Sequence, residues 1–303
     1  EVSSHALDEK RVEGIEFSEV AFTNLTEDHL DYHKTMENYL KCKLLILDQL
    51  KSDGVIIVNQ DDEYGKFFLQ KHYETLGYNG TDYKIIDYED TEKGTKITFQ
   101  MKGQTYEIET NLKSKFNVYN YLTCFALVYH LGYTEEEIKK ITKDVYPPRG
   151  RCETIKVGMS EAVIDYAHTP DAVEKIIDAF TAHKKGRIIT IVGCGGDRDP
   201  MKRPIMGRIA SEKSDYVIFT NDNPRTENPE NIMKDILNGV EKENYEEIMD
   251  RKEAIKKGLS MLKEKDVLLI LGKGHEDYQI IGHTKHHFSD LEEVENYIKE
   301  RNS

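Results

Sequence analysis

Six short polar clusters hold the residue types that could do chemistry. GCGGDRDPMKRP (193–204) sets glycines and Arg198 between an apolar run and a helical pattern. Glycines permit close backbone approach, a helix N-terminus offers free N–H groups to an anion, and an arginine fork suits a carboxylate or phosphate. DNPRTENP (222–229) puts Asp222, Asn223, Pro224 and Arg225 at a turn whose residue 223, before proline, is pushed to an extended conformation. GKGHEDYQ (272–279) supplies Gly272, Lys273, His275 and Glu276. A carboxylate near two arginine loops suggests recognition of a zwitterion, with Glu276 taking an ammonium and Arg198 and Arg225 taking a carboxylate. DYAHTP (165–170) offers Asp165, Tyr166 and His168 before a proline-initiated helix and could stack on or hydrogen-bond a nucleotide. FNVYN (116–120) opens an apolar stretch with Asn117 and Asn120 one helical turn apart. Read singly, each cluster is equally a capped helix start or a solvated loop.

The sixth cluster is TEDHLDYH (26–33) with Lys43. His29, Asp31 and His33 are metal-ligand types, although their spacing fits no zinc motif. Lys43 lies among Leu40, Leu44 and Leu47, where a lysine either snorkels or loses basicity by desolvation. A neutral lysine can add carbon dioxide, and the resulting carbamate has two hard oxygens of the kind Mg2+ prefers.

These clusters need elements to hold them. Helical periodicity runs over 35–50, and GVIIVNQDDE (54–63) reads as a short buried strand ending in an acidic turn, with a helix following to about Tyr73. Residues 83–110 alternate as two or three strands, 115–133 form an apolar helix, and Thr134 with Glu137 makes a capping box. VYPPRGRCE (145–153) is the best linker candidate, dividing the chain into 1–146 and 147–303. Beyond it strands alternate with helices at 171–183, 204–213, 229–240 and 290–300. That alternation predicts a mostly parallel sheet covered on both faces, with ligands at the carboxyl ends of its strands, where four of the clusters fall.

The composition sets outer bounds. With 42 basic and 56 acidic residues the formal charge is −14, which argues against a general nucleic-acid or anionic-membrane binder. No apolar run is long enough to insert in a membrane. Cys42, Cys124, Cys152 and Cys194 fit no zinc spacing and read as reduced thiols of a cytoplasmic protein.

As an ordered set, EVSSHAL (1–7), TNLTEDHLDYH (23–33), YLKCKLL (39–45), FNVYN, DYAHTPDA, GCGGDRD, DNPRTENP and GKGHEDYQIIG resemble the Mur ligase family of peptidoglycan synthesis over nearly the whole chain. The resemblance implies an α/β protein, the remainder of a central ATPase domain followed by a Rossmann-like C-terminal domain. It implies ATP-dependent amide-bond formation: a D-glutamyl carboxylate of a UDP-N-acetylmuramoyl-dipeptide becomes an acyl phosphate, and a diamino acid attacks it. It further implies that Lys43 is a carbamylated lysine and that Glu1, His29 and Lys43 hold Mg2+. Ser3 and Arg11 would contact the muramoyl peptide, although the family's glutamine between them is replaced by Glu9. Asn117, Asn120, Arg149, Asp165 and His168 would face ATP. Arg198, Asp222, Asn223, Pro224, Arg225, Gly272 and Glu276 would form the amino-acid pocket, with Arg225 marking enzymes that take meso-diaminopimelate or a similar diacid such as lanthionine. A non-catalytic binding module would have no reason to keep this whole set, and DNPR and GKGHE argue against a folylpolyglutamate-synthase-like ligase.

Family members also carry an N-terminal UDP-binding domain and a glycine-rich phosphate loop ahead of EVSSHAL, and neither pattern is present in these 303 residues. The expectation is a fragment whose partner is the N-terminal portion of the same enzyme, and which has no ligase turnover by itself. Phosphate release in the presence of both substrates and ATP checks this, and measurable third-residue ligation by this chain alone would refute it.

Overall fold

The computed structural model describes residues 1–303 except Lys71, Glu92, Lys93, His183, Lys184 and Ser303, with the backbone alone at Asn302. The chain divides into two compact units, Glu1–Tyr146 and Pro147–Ser303. Among the described residues no helix is long and apolar enough to cross a membrane. All four cysteines are free thiols.

The first unit is built on a six-stranded mixed sheet whose spatial order follows the chain: β1 (Phe17–Phe22), β2 (Leu50–Asn59), β3 (His72–Gly77), β4 (Tyr83–Asp90), β5 (Thr95–Met101) and β6 (Gln104–Thr110). The first four strands pair parallel and the last three antiparallel. Alternation along β2 explains its two cores. Ile56 and Val58 face a cluster with Tyr39, Leu40 and Leu47, while Ile57 faces a cluster with Phe99, Leu122 and Phe125. The first cluster includes α3 (Met36–Leu44), which follows α1 (Ser4–Asp8) and α2 (Leu30–His33). The second includes α4 (Lys115–His130), whose Val118, Tyr121, Leu122, Phe125 and Ala126 recur on one helical face. α5 (Glu135–Thr142) starts with the capping box expected from Thr134 and Glu137.

Two expectations change here. The helix over 35–50 stops at Leu44 and tightens into a 3-10 turn over Leu45–Gln49, leading directly into β2. The helix expected up to Tyr73 is instead a 3-10 turn at Gly65–Phe68 followed by β3. Short apolar runs do not distinguish strand from helix by period alone, and here pairing of Tyr73–Leu76 with Ile56–Asn59 decides the outcome.

In the second unit β7 (Glu153–Val157), β8 (Ser160–Asp165), β9 (Ile188–Val192), β10 (Tyr216–Phe219), β11 (Tyr245–Glu247) and β12 (Val267–Leu271) form a sheet in the order β11-β10-β9-β12-β8-β7. All pairs are parallel except β7 with β8. β9 is buried at all five positions, as a strand covered on both faces must be. α6 (Pro170–Thr181), α7 (Lys202–Lys213) and α8 (Pro229–Leu237) pack against one another in succession, and α9 (Arg251–Met261) packs against α10 (Asp290–Asn302). A hairpin of β13 (Tyr278–Ile281) and β14 (Thr284–His287) lies apart from the main sheet. The strand–helix alternation expected from the sequence is present, with β7, β11, α9 and the hairpin added. α9 was hidden because its buried face, Arg251, Ala254, Ile255, Gly258 and Leu259, has only two large apolar residues beside two small ones and a cation.

Phe125 is 1% exposed and meets the Phe99 ring edge-on at 5.2 Å. Phe125→Ala should cost the first unit about 3–5 kcal/mol. Urea denaturation followed by tyrosine near-ultraviolet dichroism measures this, and a loss below about 1 kcal/mol would mean the core collapses around the vacancy.

Candidate functional site

Because β8, β9, β10 and β12 run parallel, their carboxyl ends lie along one edge of the second unit's sheet, and the loops after them emerge together. The loops after β9 and β10 are joined backbone to backbone. Gly196 N–H donates to the Asn223 carbonyl at 2.9 Å, and a Cβ on Gly196 would sit 2.0 Å from the Pro224 oxygen. No side chain fits there, so the glycines of GCGG serve loop-to-loop contact. Arg225 has a left-handed backbone (φ 51°) tied to the hairpin: its N–H donates to Ile280 at 3.0 Å and its carbonyl accepts from Gly282 at 2.7 Å. Its guanidinium donates to the Gly196 carbonyl at 2.7 Å. A Cβ on Gly195 would lie 2.8 Å from that guanidinium and 3.8 Å from the Arg198 side chain, so both arginines border one spot.

Two residues of the 193–204 cluster with no role assigned from sequence secure this junction. Arg203, 1% exposed, grips both oxygens of Glu227 at 2.6 Å, reaches Asp235 at 2.9 Å and donates to the Gly195 carbonyl at 3.3 Å. That fork holds the Glu227 carboxyl below its usual range. Asp197 accepts from both the N–H and the hydroxyl of Thr226. A buried arginine in a helix reads from sequence as surface charge, so no local signal marked Arg203.

The loop after β12 closes the pocket. Gly272 (φ 113°) leaves room for the Asp222 carboxylate, which a Cβ would meet at 2.7 Å. Lys273 is fully buried and donates to Asn223 at 3.1 Å and to one Glu276 oxygen at 3.0 Å. Asn223 donates to that same oxygen at 2.9 Å, and the Tyr278 hydroxyl lies 3.4 Å from the other. Burial alone would raise the Glu276 carboxyl, but Asn223, Lys273 and Tyr278 outweigh it and hold the group below its usual value. Pro224 is buried beneath, Asp222 accepts its neighbour's N–H at 2.7 Å, and Arg198 is exposed at the rim.

Arg251 underlies both loops. It pairs with Asp290 through two bonds of 2.7 and 2.8 Å, both partners fully buried. It also donates to the Leu271 carbonyl at 3.0 Å and the Asn221 carbonyl at 3.5 Å, the residues just before Gly272 and Asp222.

Beside this pocket, Asp165 accepts the N–H groups of Cys152 and Ala167 at 2.8 Å each, while burial pushes its carboxyl up. Tyr166 lies between His168 and His275, with ring centroids at 4.7 and 5.5 Å, and the Arg151 guanidinium sits over it at 4.8 Å. Arg149 is exposed in the same loop, whose Gly150 abuts the backbone of Gly274 and His275.

The first unit holds the remaining expected residues. Lys43 Nζ is 3.5 Å from the Val2 carbonyl and 5.9 Å from the Tyr39 ring centre. Burial pushes its amine down from the ordinary lysine value, opposed by the charge of Glu1. The His29 ring is edge-on to His5 at 4.9 Å and to Tyr39 at 6.1 Å. Of the three metal-ligand types read from TEDHLDYH, His33 turns inward, bonding Ser4 at 2.8 Å and stacking on Tyr39, and Asp31 is exposed. Among the described residues no three His, Cys, Asp or Glu side chains form a metal-binding group. Ser3 caps α1, accepting from Ala6 at 3.1 Å, and exposed Arg11 is ion-paired with Glu9. Asn117 donates to the Lys113 carbonyl at 2.8 Å and accepts from Asn120 at 3.1 Å.

A mixed-sheet unit and a parallel-strand unit of this kind are the folds of Mur ligase middle and C-terminal domains. The Mur ligase middle domain matches residues 1–128 and the Mur ligase glutamate ligase domain matches residues 150–274, and the chain belongs to the Mur ligase family. It is 44% identical over 307 residues to UDP-N-acetylmuramoyl-L-alanyl-D-glutamate–2,6-diaminopimelate ligase 1 of Clostridium acetobutylicum, covering 99% of this chain and 63% of that protein. To the diaminopimelate ligase of Aquifex aeolicus it is 44% identical over 301 residues, covering 98% and 62%. A solved structure of a ligase of that name superposes with a TM-score of 0.65 at 32% identity, covering all of this chain and 64% of the other. The MurF ligase of Thermotoga maritima, solved with ADP, shares the fold at a TM-score of 0.74 and 15% identity. The chain thus spans somewhat under two thirds of the diaminopimelate ligases it matches.

Asp290→Ala leaves the Arg251 charge buried without its carboxylate and should cost the second unit about 3–5 kcal/mol. The paired change Arg251→Met with Asp290→Leu should recover part of that loss, the Asn221 and Leu271 carbonyls left without their donor keeping the double variant below the unsubstituted chain. Urea midpoints of the three proteins check this, and a double variant no more stable than Asp290→Ala would refute it.

Proposed function

We propose that the chain carries the ATPase and amino-acid-binding parts of an ATP-dependent acid–amino-acid ligase of peptidoglycan synthesis, without turnover by itself. The whole enzyme joins meso-diaminopimelate, or a similar diamino diacid, to UDP-N-acetylmuramoyl-L-alanyl-D-glutamate in the cytoplasm. Residues 1–146 are the ATPase part and 147–303 the amino-acid-binding part. The observation that carries this reading is Arg225, held on the Gly196 carbonyl beside Arg198 and across Asn223 from Glu276. A diacid needs such a second carboxylate receptor, and an arginine fork supplies two parallel bonds.

In this reading Glu276 takes a substrate ammonium through the oxygen facing Tyr278, since its other oxygen is engaged by Lys273 and Asn223. Asp222, Pro224 and Gly272 shape the pocket, and Arg198 receives a carboxylate at the rim. Asn117, Asn120, Arg149, Asp165 and His168 contact ATP, which phosphorylates the D-glutamyl carboxylate. The amine of the bound diacid then attacks the acyl phosphate, a tetrahedral intermediate forms, and phosphate leaves. Ser3 and Arg11 hold the muramoyl peptide, with the Glu9 pairing partly neutralising Arg11.

A metal fits the first unit once Lys43 is carbamylated, because the carbamate adds two oxygens to a donor set otherwise limited to Glu1 and His29. Mg2+ held there would neutralise charge on the phosphoryl oxygens. Desolvation favours the neutral Lys43 amine that carbamylation requires.

Two measurements test this. By calorimetry the chain should bind meso-diaminopimelate more tightly than lysine, and Arg225→Ala should weaken the diacid by about tenfold or more while leaving lysine nearly unchanged. Tighter binding of lysine to the unsubstituted chain would overturn the pocket reading. In 13C-bicarbonate the chain should show a carbamate resonance that grows as pH rises toward the Lys43 amine's lowered pKa and is lost in Lys43→Arg. A signal equally strong in Lys43→Arg would remove Lys43 from the role.

A further inference from the structure

We propose that Lys273 determines the charge class of amino acid that the second unit accepts, selecting an overall neutral diamino diacid over a cationic amino acid. The inference rests on the reading of this site as a diacid pocket and adds a residue that never needs to touch the ligand.

Lysine is seldom fully buried unless paired, and Lys273 has no exposure at all. Its ammonium bridges Asn223 and Glu276, joining the loops after β10 and β12, and stands 5.5 Å from the Tyr278 ring centre. Two consequences follow. Lys273 occupies the Glu276 oxygen that Asn223 also binds, so Glu276 is left with a single oxygen directed toward a ligand. Lys273 also sets the sign of the pocket. Arg198, Arg225 and Lys273 face Asp197, Asp222 and Glu276, while the neighbouring Arg251 and Asp290 cancel as a pair. These charges balance, and neutralising Lys273 leaves one negative charge in excess.

A diamino diacid carries two ammonium and two carboxylate groups and is neutral overall. Lysine carries the same two ammonium groups and one carboxylate, so its net positive charge is opposed by Lys273 and is favoured once that charge is removed. Because Lys273 is buried, salt screens its field poorly. The groups around Glu276 are Lys273 on its own loop, Tyr278 on β13, Asp222, Asn223 and Arg225 after β10, Tyr166 after β8 and Arg251 of α9. Of the cations among them, Lys273 is the one hydrogen-bonded to its carboxylate.

The test is the ratio of meso-diaminopimelate to L-lysine affinity, measured by calorimetry on the whole chain and on Lys273→Met and Lys273→Gln. The glutamine variant keeps hydrogen bonding without charge and guards against simple misfolding of the methionine variant. Loss of the charge should lower the diacid-to-lysine ratio by about tenfold or more. A residue that merely supports the loops would weaken both ligands alike and leave the ratio unmoved, which would overturn the proposal. Glu276→Gln should shift the ratio in the opposite direction, toward the diacid, and a shift toward lysine would equally count against it. With 13C-labelled glutamate, the Glu276 carboxyl should titrate about one pH unit or more higher in Lys273→Gln than in the unsubstituted chain. An unsubstituted chain that binds neither amino acid would refute the pocket reading and the proposal together. Diacid binding with an unchanged ratio in the variants would refute the proposal alone.

Discussion

Arg251 and Asp290 form an ion pair from which water is excluded, and the pair does more than neutralise itself. Three of the arginine's nitrogens are committed, two of them to the carboxylate and, with the third, to the carbonyls of Leu271, the last residue of β12, and Asn221, two residues past β10. Carbonyls where a strand gives way to a loop need donors, since buried backbone groups without partners are costly. One side chain therefore fixes where two loops begin. Everything downstream depends on that origin: the turn that leaves Arg225 in a left-handed conformation, the close approach of Asp222 to Gly272, and the Lys273 bridge to Asn223 and Glu276. Such buried pairs contribute little net stability compared with apolar replacements, so the value of this one lies in defining a single loop geometry.

Charge is organised by the same logic. The chain as a whole is strongly acidic, yet the edge where the parallel strands end gathers Arg198, Arg225 and Lys273 against Asp197, Asp222 and Glu276. Cations are placed there by different means: Arg225 by a backbone bridge to the hairpin, Arg203 by burial against Glu227, and Lys273 by complete enclosure. In the first unit, burial of Lys43 beside Tyr39 pushes its amine below the ordinary lysine value.

Much of this was legible in the chain. The strand–helix alternation of the second unit and the four clusters at strand ends follow from periodicity and turn residues, and the parallel sheet then requires the clusters to meet. What escaped notice shares a physical cause. Arg203 and Arg251 look like surface charges in helices, and only tertiary packing makes them interior. α9 escaped because its buried face uses Ala254 and Gly258 where a longer apolar stripe would signal a helix. β3 was misread because a short run such as YETLG takes its form from the strand beside it. Gly195 and Gly196 carried a phosphate-loop flavour in sequence, whereas the space they leave is filled by the Pro224 carbonyl and the Arg225 guanidinium.

Gly150 has an implication for anyone dissecting this protein. It lies ahead of β7, in a stretch that looks like a disposable tether, yet a Cβ there would come within 2.0 Å of the His275 nitrogen. Its N–H is bonded to Glu153 at 2.8 Å, and nearby Cys152 donates to Asp165. An excised amino-acid-binding half that began at the first strand would remove one wall of the loop bearing Lys273 and Glu276. The functional edge of this half lies upstream of its regular secondary structure, and a graft or chimaera has to be cut before Pro147 to carry the recognition surface with it.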